Sequence, residues 1–131
     1  MDDVYVLAMT PARKFLGVTR ALIGVTAWVA PDLTMRIFGI DPERSDRFVG
    51  RLFGSRELAL AGALLVAPAS AAAPVAALGA TIDTVDSIAG FDELRRGNMS
   101  AQATILGPVA VLLFAALGVH VARQVPAATT A

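Results

Sequence analysis

The chain has 131 residues, of which 56% are hydrophobic and 17% are charged, and its formal net charge is zero. Soluble domains average about 45–50% apolar and about 25% charged residues, so this composition favours one small domain in contact with lipid. The balanced charge argues against a nucleic-acid partner. The chain has no cysteine and a single histidine, which excludes disulfides and a cysteine- or histidine-rich metal site. No metal or cofactor is therefore expected.

Charge clusters and prolines divide the chain into four apolar segments, each of which is predicted to form a helix. The segments span about 15–30, 47–67, 74–91 and 99–121. The N-terminus, Met-Asp-Asp, is acidic where a secretory signal would be basic, so we interpret the first segment as a retained helix. Residues 4–9 extend this helix or form a surface helix.

The connections between the segments predict where the helices begin and end. Residues 31–46 form a polar connection in which Asp41 and Pro42 mark a turn or a helix start. A short uncharged loop precedes Pro74, and proline is favoured in the first turn of a helix. Gly97 is a plausible stop for the third helix, because glycine adopts the backbone conformation that ends many helices.

Short loops make consecutive helices antiparallel, so we expect an all-α fold in which residues 1–131 form a four-transmembrane-helix up-down bundle. The fourth segment carries no charge, and about 20 apolar residues suffice to span a bilayer. The alternative is a soluble helical bundle with an alanine-rich core, which the second and third segments alone would allow. Pro108 is expected to kink the fourth helix, and residues 126–131 are expected to form a loose tail.

The distribution of lysine and arginine predicts the orientation in the inner or plasma membrane. The basic residues near the helix ends are Arg36, Arg44, Arg47, Arg95 and Arg96 on one side, and Arg13, Lys14 and Arg123 on the other. The first side is therefore expected to be cytoplasmic, which leaves both termini outside. Trp28 and Tyr5 are expected to anchor the helices at the membrane interface, as these residue types usually do.

Ionisable residues interrupt three of the four predicted helices. They are Arg20, Arg51, Arg56, Glu57, Asp83 and Asp86. A charge at bilayer depth costs about 2.5–3.5 kcal/mol on insertion scales, so such residues usually face the bundle interior and pair with one another. Helical spacing places Arg20, Glu57, Asp83 and Asp86 on faces that also carry glycine or alanine. Membrane helices approach one another closely along such faces. The equal number of acids and bases allows a neutral cluster.

Asp83 and Asp86 lie one helical turn apart and give the sharpest chemical prediction. Two carboxylates in a low dielectric repel, which favours a protonated acid beside an ionised one unless an arginine neutralises both. Such a pair, oriented by an arginine, suits epoxide opening, isomerisation or cyclisation of a lipophilic small molecule. The predicted catalytic residues are Asp83, Asp86, Glu57, Arg56 and Arg20. Two other interpretations stay open: a structural ion network in a non-catalytic membrane subunit or scaffold, and a proton or ion pathway.

Polar and small residues near this cluster are candidate substrate-binding positions. They are Arg51, Ser55, Gly54, Gly79 and Gln102. Small residues beside charges either let helices pack closely or leave space for a ligand, and the sequence does not decide between the two. The expected partners are membrane lipid and a lipophilic small molecule, with a second copy of the chain as a further candidate.

One sequence run resembles a known family. The run from Arg51 to Gly62, Arg-Leu-Phe-Gly-Ser-Arg-Glu-Leu-Ala-Leu-Ala-Gly, is followed by Asp-x-x-Asp on the next helix. This combination resembles the small four-helix membrane proteins of the DoxX-like kind, common in actinobacteria, over most of residues 15–120. The resemblance implies a four-helix membrane fold and no established reaction, and redox roles suggested for some DoxX-like proteins gain no support without cysteine. Its recurring polar positions would be Arg56, Glu57, Asp83 and Asp86.

Overall fold

The structure is a computed structural model that describes residues 9–124. Helices make up nearly all the regular structure of these residues. The helices are α1 (Pro11–Val29), α2 (Pro31–Ile37), α3 (Arg47–Val66), α4 (Ala69–Arg95) and α5 (Ala101–Gln124), and one 3₁₀ turn spans Pro42–Arg44. No β-strand occurs in this part of the chain, which confirms the all-α fold class. The predictions for residues 4–8, including Tyr5, and for the tail 126–131 lie outside the described residues.

Short polar side chains cap the starts of α1 and α3. The Thr10 hydroxyl accepts a hydrogen bond from the Arg13 amide at 3.2 Å, and the Asp46 carboxylate accepts one from the Phe48 amide at 2.8 Å. These contacts satisfy amides that have no partner inside the helix. α1 therefore starts four residues before the predicted position, and α3 starts where the sequence predicted.

The polar connection 31–46 is more structured than predicted, because it contains the short helix α2. The Asp41 carboxylate accepts a hydrogen bond from the Glu43 amide at 3.0 Å and begins the 3₁₀ turn. The predicted helix start at this position is thereby confirmed.

The predicted start of α4 at Pro74 is wrong, because the helix begins at Ala69 and contains this proline. The alanine-rich run before Pro74 has high helical propensity. Pro74 is the sixth residue of the helix, so its missing N–H removes one hydrogen bond just beyond the first turn, and the helix continues through it. The helix ends at Arg95, where Gly97 adopts a φ of 79°, as the predicted glycine stop requires.

The predicted kink in the fourth helix is present. Residues Ile105–Val109 form a π-helical segment within α5, in which Gly107 leaves helical geometry with φ −90° and ψ −108°. Pro108 follows directly, and its missing N–H breaks the regular ladder. The kink turns part of α5 toward α4, where the Ser87 hydroxyl donates to the Pro108 carbonyl at 3.2 Å.

The long helices form two closely packed pairs, α1 with α3 and α4 with α5. The Thr10 hydroxyl donates to the Gln124 side chain at 2.8 Å at one end of the bundle. At the other end, the Gln102 amide donates to the Ile37 carbonyl at 2.8 Å. These contacts place the start of α1 beside the end of α5, and the start of α5 beside the end of α2, so consecutive long helices alternate in direction.

α5 is the helix of the described chain that is long and apolar enough to cross a membrane by length and composition. One such helix is weak evidence, because the core helix of a soluble protein can pass the same test. Only 22% of its apolar window is buried inside the protein, however, which is unlike a soluble core helix. The other three long helices carry the charged residues described next.

Candidate functional site

A buried ion triad joins three helices at the centre of the bundle. The Arg20 guanidinium of α1 donates to the Glu57 carboxylate of α3, with its closest contact at 3.0 Å, and to the Asp83 carboxylate of α4. The three side chains are 1%, 4% and 2% exposed. We call these residues the inner triad. One arginine thus binds two acids from two different helices and is sealed from the surroundings.

The packing around Arg20 explains why the guanidinium fits there. Gly79 of α4 faces the guanidinium, and a Cβ at this position would lie 3.6 Å from an Arg20 terminal nitrogen, an ordinary van der Waals distance. The Phe114 ring of α5 lies 5.4 Å from the guanidinium carbon, in range for a cation–π contact. The Arg20 Nε atom has no hydrogen-bond partner among the described residues, and this ring face compensates part of that loss.

A second ion pair lies beside the inner triad but faces outward. Arg56 of α3 contacts the Asp86 carboxylate of α4 at 2.6 Å and the Glu57 carboxylate at 3.7 Å. The side chains of Arg56 and Asp86 are 35% and 32% exposed. We call these two residues the outer pair. Through Glu57 the two groups form one network of alternating acids and bases, and Phe53 stacks 5.2 Å from the Arg56 guanidinium.

A cavity of about 860 Å³ opens between the two helix pairs, and the outer pair lies on its wall. Pockets that bind small molecules usually have volumes of about 300–1,000 Å³. The lining is mostly apolar and comes mainly from α2, α3, α4 and α5, with Ala27 of α1 and residues of the connections before α3 and α5. Its apolar residues include Met35, Phe38, Phe53, Met99, Pro108 and Val111. The inner triad does not line this cavity.

The structure therefore divides the predicted catalytic residues into two groups. All five come together at one level of the bundle, as the sequence predicted. Asp83 and Asp86 nevertheless bind different arginines, because Asp83 faces Arg20 and Asp86 faces Arg56. Asp86 is the carboxylate of the network that a molecule in the cavity can reach, whereas Glu57 and Asp83 are enclosed by protein.

The predicted substrate-binding residues lie away from the cavity wall. Arg51 stacks on Trp28 at 5.1 Å, and the Ser55 hydroxyl accepts a hydrogen bond from the Trp28 indole at 2.8 Å. Gly54 packs against α1, Gly79 faces the Arg20 guanidinium, and Gln102 caps the end of α2. None of the five lines the cavity, so their contacts support roles in packing and helix capping.

Sequence reasoning missed one buried arginine and the aromatic lining of the cavity. Arg13 was assigned to the surface charge at one membrane side, yet it is 1% exposed and donates to the Leu64 and Ala67 carbonyls at 2.6 and 2.7 Å. It thereby satisfies carbonyls at the end of α3. Phe38 and Phe53 are distant in the sequence, but their ring centres lie 6.4 Å apart. No local sequence pattern signals this contact.

Comparison of the chain with protein-family models, curated proteins and solved structures gave no match. The resemblance to DoxX-like proteins therefore stays a prediction. Within residues 9–124, no three histidine or acidic side chains are grouped as a metal site would need. The candidate site rests on the network and the cavity alone.

Proposed function

We propose that this protein is a multi-pass membrane protein that binds a lipophilic small molecule in the cavity and performs acid/base chemistry on it through Asp86. The observation that carries the proposal is the outer pair, a half-exposed Arg–carboxylate contact on the wall of a large apolar cavity. A mostly apolar pocket with a few converging polar groups is the usual form of a small-molecule site.

Membrane insertion is supported by the distribution of apolar and charged residues, which differs from that in a soluble protein. Large apolar side chains point outward on every long helix; Leu22 is 65% exposed, Val66 is 82% exposed and Leu113 is 66% exposed. The buried charged side chains are Arg13, Arg20, Glu57 and Asp83, and they share the interior with several alanines and a small apolar cluster that includes Leu16, Leu64 and Val121. Soluble helices bury their apolar stripe, whereas membrane helices place charges inside and pair them.

Helix length supports four spans. α1 and α3 have 19 and 20 residues, and α4 and α5 are longer, with 27 and 24. A rise of 1.5 Å per residue gives lengths of about 28 Å or more, against a hydrocarbon core about 30 Å thick. The charges that lower the apolar character of α1, α3 and α4 include the members of the paired network, so their cost in lipid is reduced by pairing.

The chemistry proposed for the outer pair is proton transfer. Arg56 fixes the orientation of the Asp86 carboxylate and stabilises negative charge on it or on a bound oxygen atom. Asp86 can take a proton from, or return one to, a molecule lying in the cavity. Epoxide opening, isomerisation and cyclisation each need such a transfer, and the apolar lining keeps competing water away.

The inner triad is assigned a structural role in this proposal. It is enclosed on all sides and touches no cavity, so its three charges hold α1, α3 and α4 in register. A non-catalytic scaffold remains the second candidate function, favoured by this enclosure.

The proposal is tested by comparing lipid-soluble extracts of cells that produce the wild-type protein or Asp86→Asn. We expect mass spectrometry to show a compound made by the wild type and lost with Asp86→Asn, although the variant is purified folded in neutral detergent. Asp92→Asn is the matched control, because Asp92 is an α4 carboxylate paired with exposed Arg95 and Arg96 outside the cavity. Identical extracts from the wild type and Asp86→Asn would contradict the proposed chemistry and favour the scaffold function.

A further inference from the structure

We infer that the cavity selects a lipophilic cation. This inference rests on the proposed ligand site and adds the charge of its ligand. It follows from the charge balance of the network, the aromatic lining and the apolar character of the cavity.

The network holds one more acid than base. Its carboxylates are Glu57, Asp83 and Asp86, and its guanidiniums are Arg20 and Arg56. The sequence-based expectation of a neutral cluster counted Arg51 as a third cation, but Arg51 stacks on Trp28 outside the network. With all five groups ionised, the network carries a formal charge of −1. In a low dielectric such an excess negative charge attracts a neighbouring cation strongly.

The two arginines are already engaged, so they do not favour an anionic ligand. Arg20 is enclosed between Glu57 and Asp83, and Arg56 is held by Asp86 at 2.6 Å and by Glu57 at 3.7 Å. An anion at Arg56 would lie beside the Asp86 carboxylate on the same cavity wall and would be repelled by it. A cation, in contrast, can approach Asp86 from the cavity without breaking either ion pair.

The remaining lining suits a positive, poorly hydrated ligand. Phe38 and Phe53 line the cavity in an edge-to-face contact with an interplanar angle of 77°, and aromatic faces attract cations, most strongly where water is excluded. Met35 and Met99 add polarisable, adaptable surface. Asp46, on the exposed rim, adds a further negative charge. A hydrated metal ion would find few oxygen ligands here, so the charge belongs on a lipophilic body.

The test uses two probes of nearly equal shape and opposite charge, tetraphenylphosphonium and tetraphenylborate. Each is titrated into nanodiscs of phosphatidylcholine that contain the full chain, and binding to protein-free nanodiscs is subtracted. We expect saturable, protein-dependent binding of tetraphenylphosphonium that is at least about tenfold tighter than that of tetraphenylborate. This comparison needs no variant and therefore does not depend on how a mutation affects folding.

Variants locate the binding and its cause. Val111→Phe places a ring in the cavity and is expected to abolish tetraphenylphosphonium binding, whereas Val85→Phe, on the exposed side of α4, is expected to leave it unchanged. Glu57→Gln removes the excess charge without changing the shape, and we expect a loss of affinity of about tenfold. Asp92→Asn removes an exposed charge outside the network and is expected to have little effect.

Equal or tighter binding of tetraphenylborate, if Val111→Phe blocks it, would overturn the preference for cations but would leave a ligand-binding cavity. Absence of protein-dependent binding for both ions would also overturn this inference. The extracts described for Asp86→Asn then decide separately whether the proposed function stands.

Discussion

Arg20 is the residue on which the three-helix contact depends, because it is the cation that binds both enclosed carboxylates of the inner triad. Its guanidinium takes no part in the cavity, so its removal tests stability separately from ligand binding. A buried ion pair adds uncertain net stability, but removing one partner leaves an uncompensated charge. Lys14, a basic residue on the exposed side of the same helix, has no comparable burial.

Arg20→Met is expected to lower the free energy of unfolding by about 3–5 kcal/mol, because Asp83 would lose its cation and Glu57 would keep only its 3.7 Å contact with Arg56. The measurement is unfolding by sodium dodecyl sulfate in mixed micelles, with Lys14→Met as the control on the same helix.

A triple variant separates the loss of the charges from the loss of the space they fill. Replacing Arg20 and Glu57 by Met and Asp83 by Leu removes the whole triad and leaves no buried charge from it. We expect this variant to recover most of the stability lost in Arg20→Met. A triple variant as unstable as the single one would show that the triad contributes more than charge compensation.

At the scale of helices, close approach of α1 and α3 is set by two glycines. A Cβ on Gly24 would lie 2.9 Å from the Gly54 carbonyl oxygen, and a Cβ on Gly54 would lie 2.9 Å from the Gly24 carbonyl oxygen. Backbone therefore meets backbone at this crossing. Gly62, eight residues further along α3, has no atom of a neighbouring element within 4 Å of the same position.

Gly54→Ala is expected to destabilise the protein by about 1–3 kcal/mol, because the added methyl group forces the two backbones apart. Gly62→Ala in the same helix is expected to be neutral or stabilising by up to about 1 kcal/mol, since alanine restricts the unfolded chain. Unfolding in mixed micelles compares the two directly. Loss of ligand binding in Gly54→Ala at unchanged stability would instead support the substrate-binding role predicted from the sequence.

The helices and the clustering of the charged residues could be predicted from the sequence, because both depend on local patterns. Apolar runs between charge clusters located the long helices, and helical spacing placed Arg20, Glu57 and Asp83 on faces with small residues. The start of α4 was missed because Pro74 was taken as a boundary, although alanine-rich sequence before a proline can be helical. Which acid faces which arginine depends on the rotation and offset of whole helices, and these have no local signal.

The two ends of the described part of the molecule differ in their charged residues. One end carries connections rich in both arginines and acids, such as Arg44 and Glu93, and the other lies near Thr10, Ala67 and Gln124. The cavity opens between the helix pairs near the first end, where Ser45 and Asp46 lie on its lining. No sequence pattern predicts that opening, since it is a gap between α3 and α4, which contact each other little.

The proposed orientation can be tested with single introduced thiols, because the chain contains no cysteine. We expect Ser45→Cys and Asn98→Cys to react with an impermeant maleimide only after cells are opened, since the arginine-rich end is predicted to be cytoplasmic. Ala69→Cys, at the first residue of α4 at the opposite end, is expected to react in intact cells. Labelling of Ser45→Cys and Ala69→Cys from the same side would contradict a four-span arrangement.

The inner triad has a consequence for biosynthesis. Its three charges belong to helices that leave the ribosome one after another, so Arg20 emerges before the acids that neutralise it. Each lone charge opposes entry into lipid by about 2.5–3.5 kcal/mol. In the proposed four-span arrangement, the charge of Arg20 is therefore compensated in the bilayer only once Glu57 and Asp83 have followed. Integration would then be a joint event of three helices at the translocon, and a chain truncated after α3 would carry an incomplete triad.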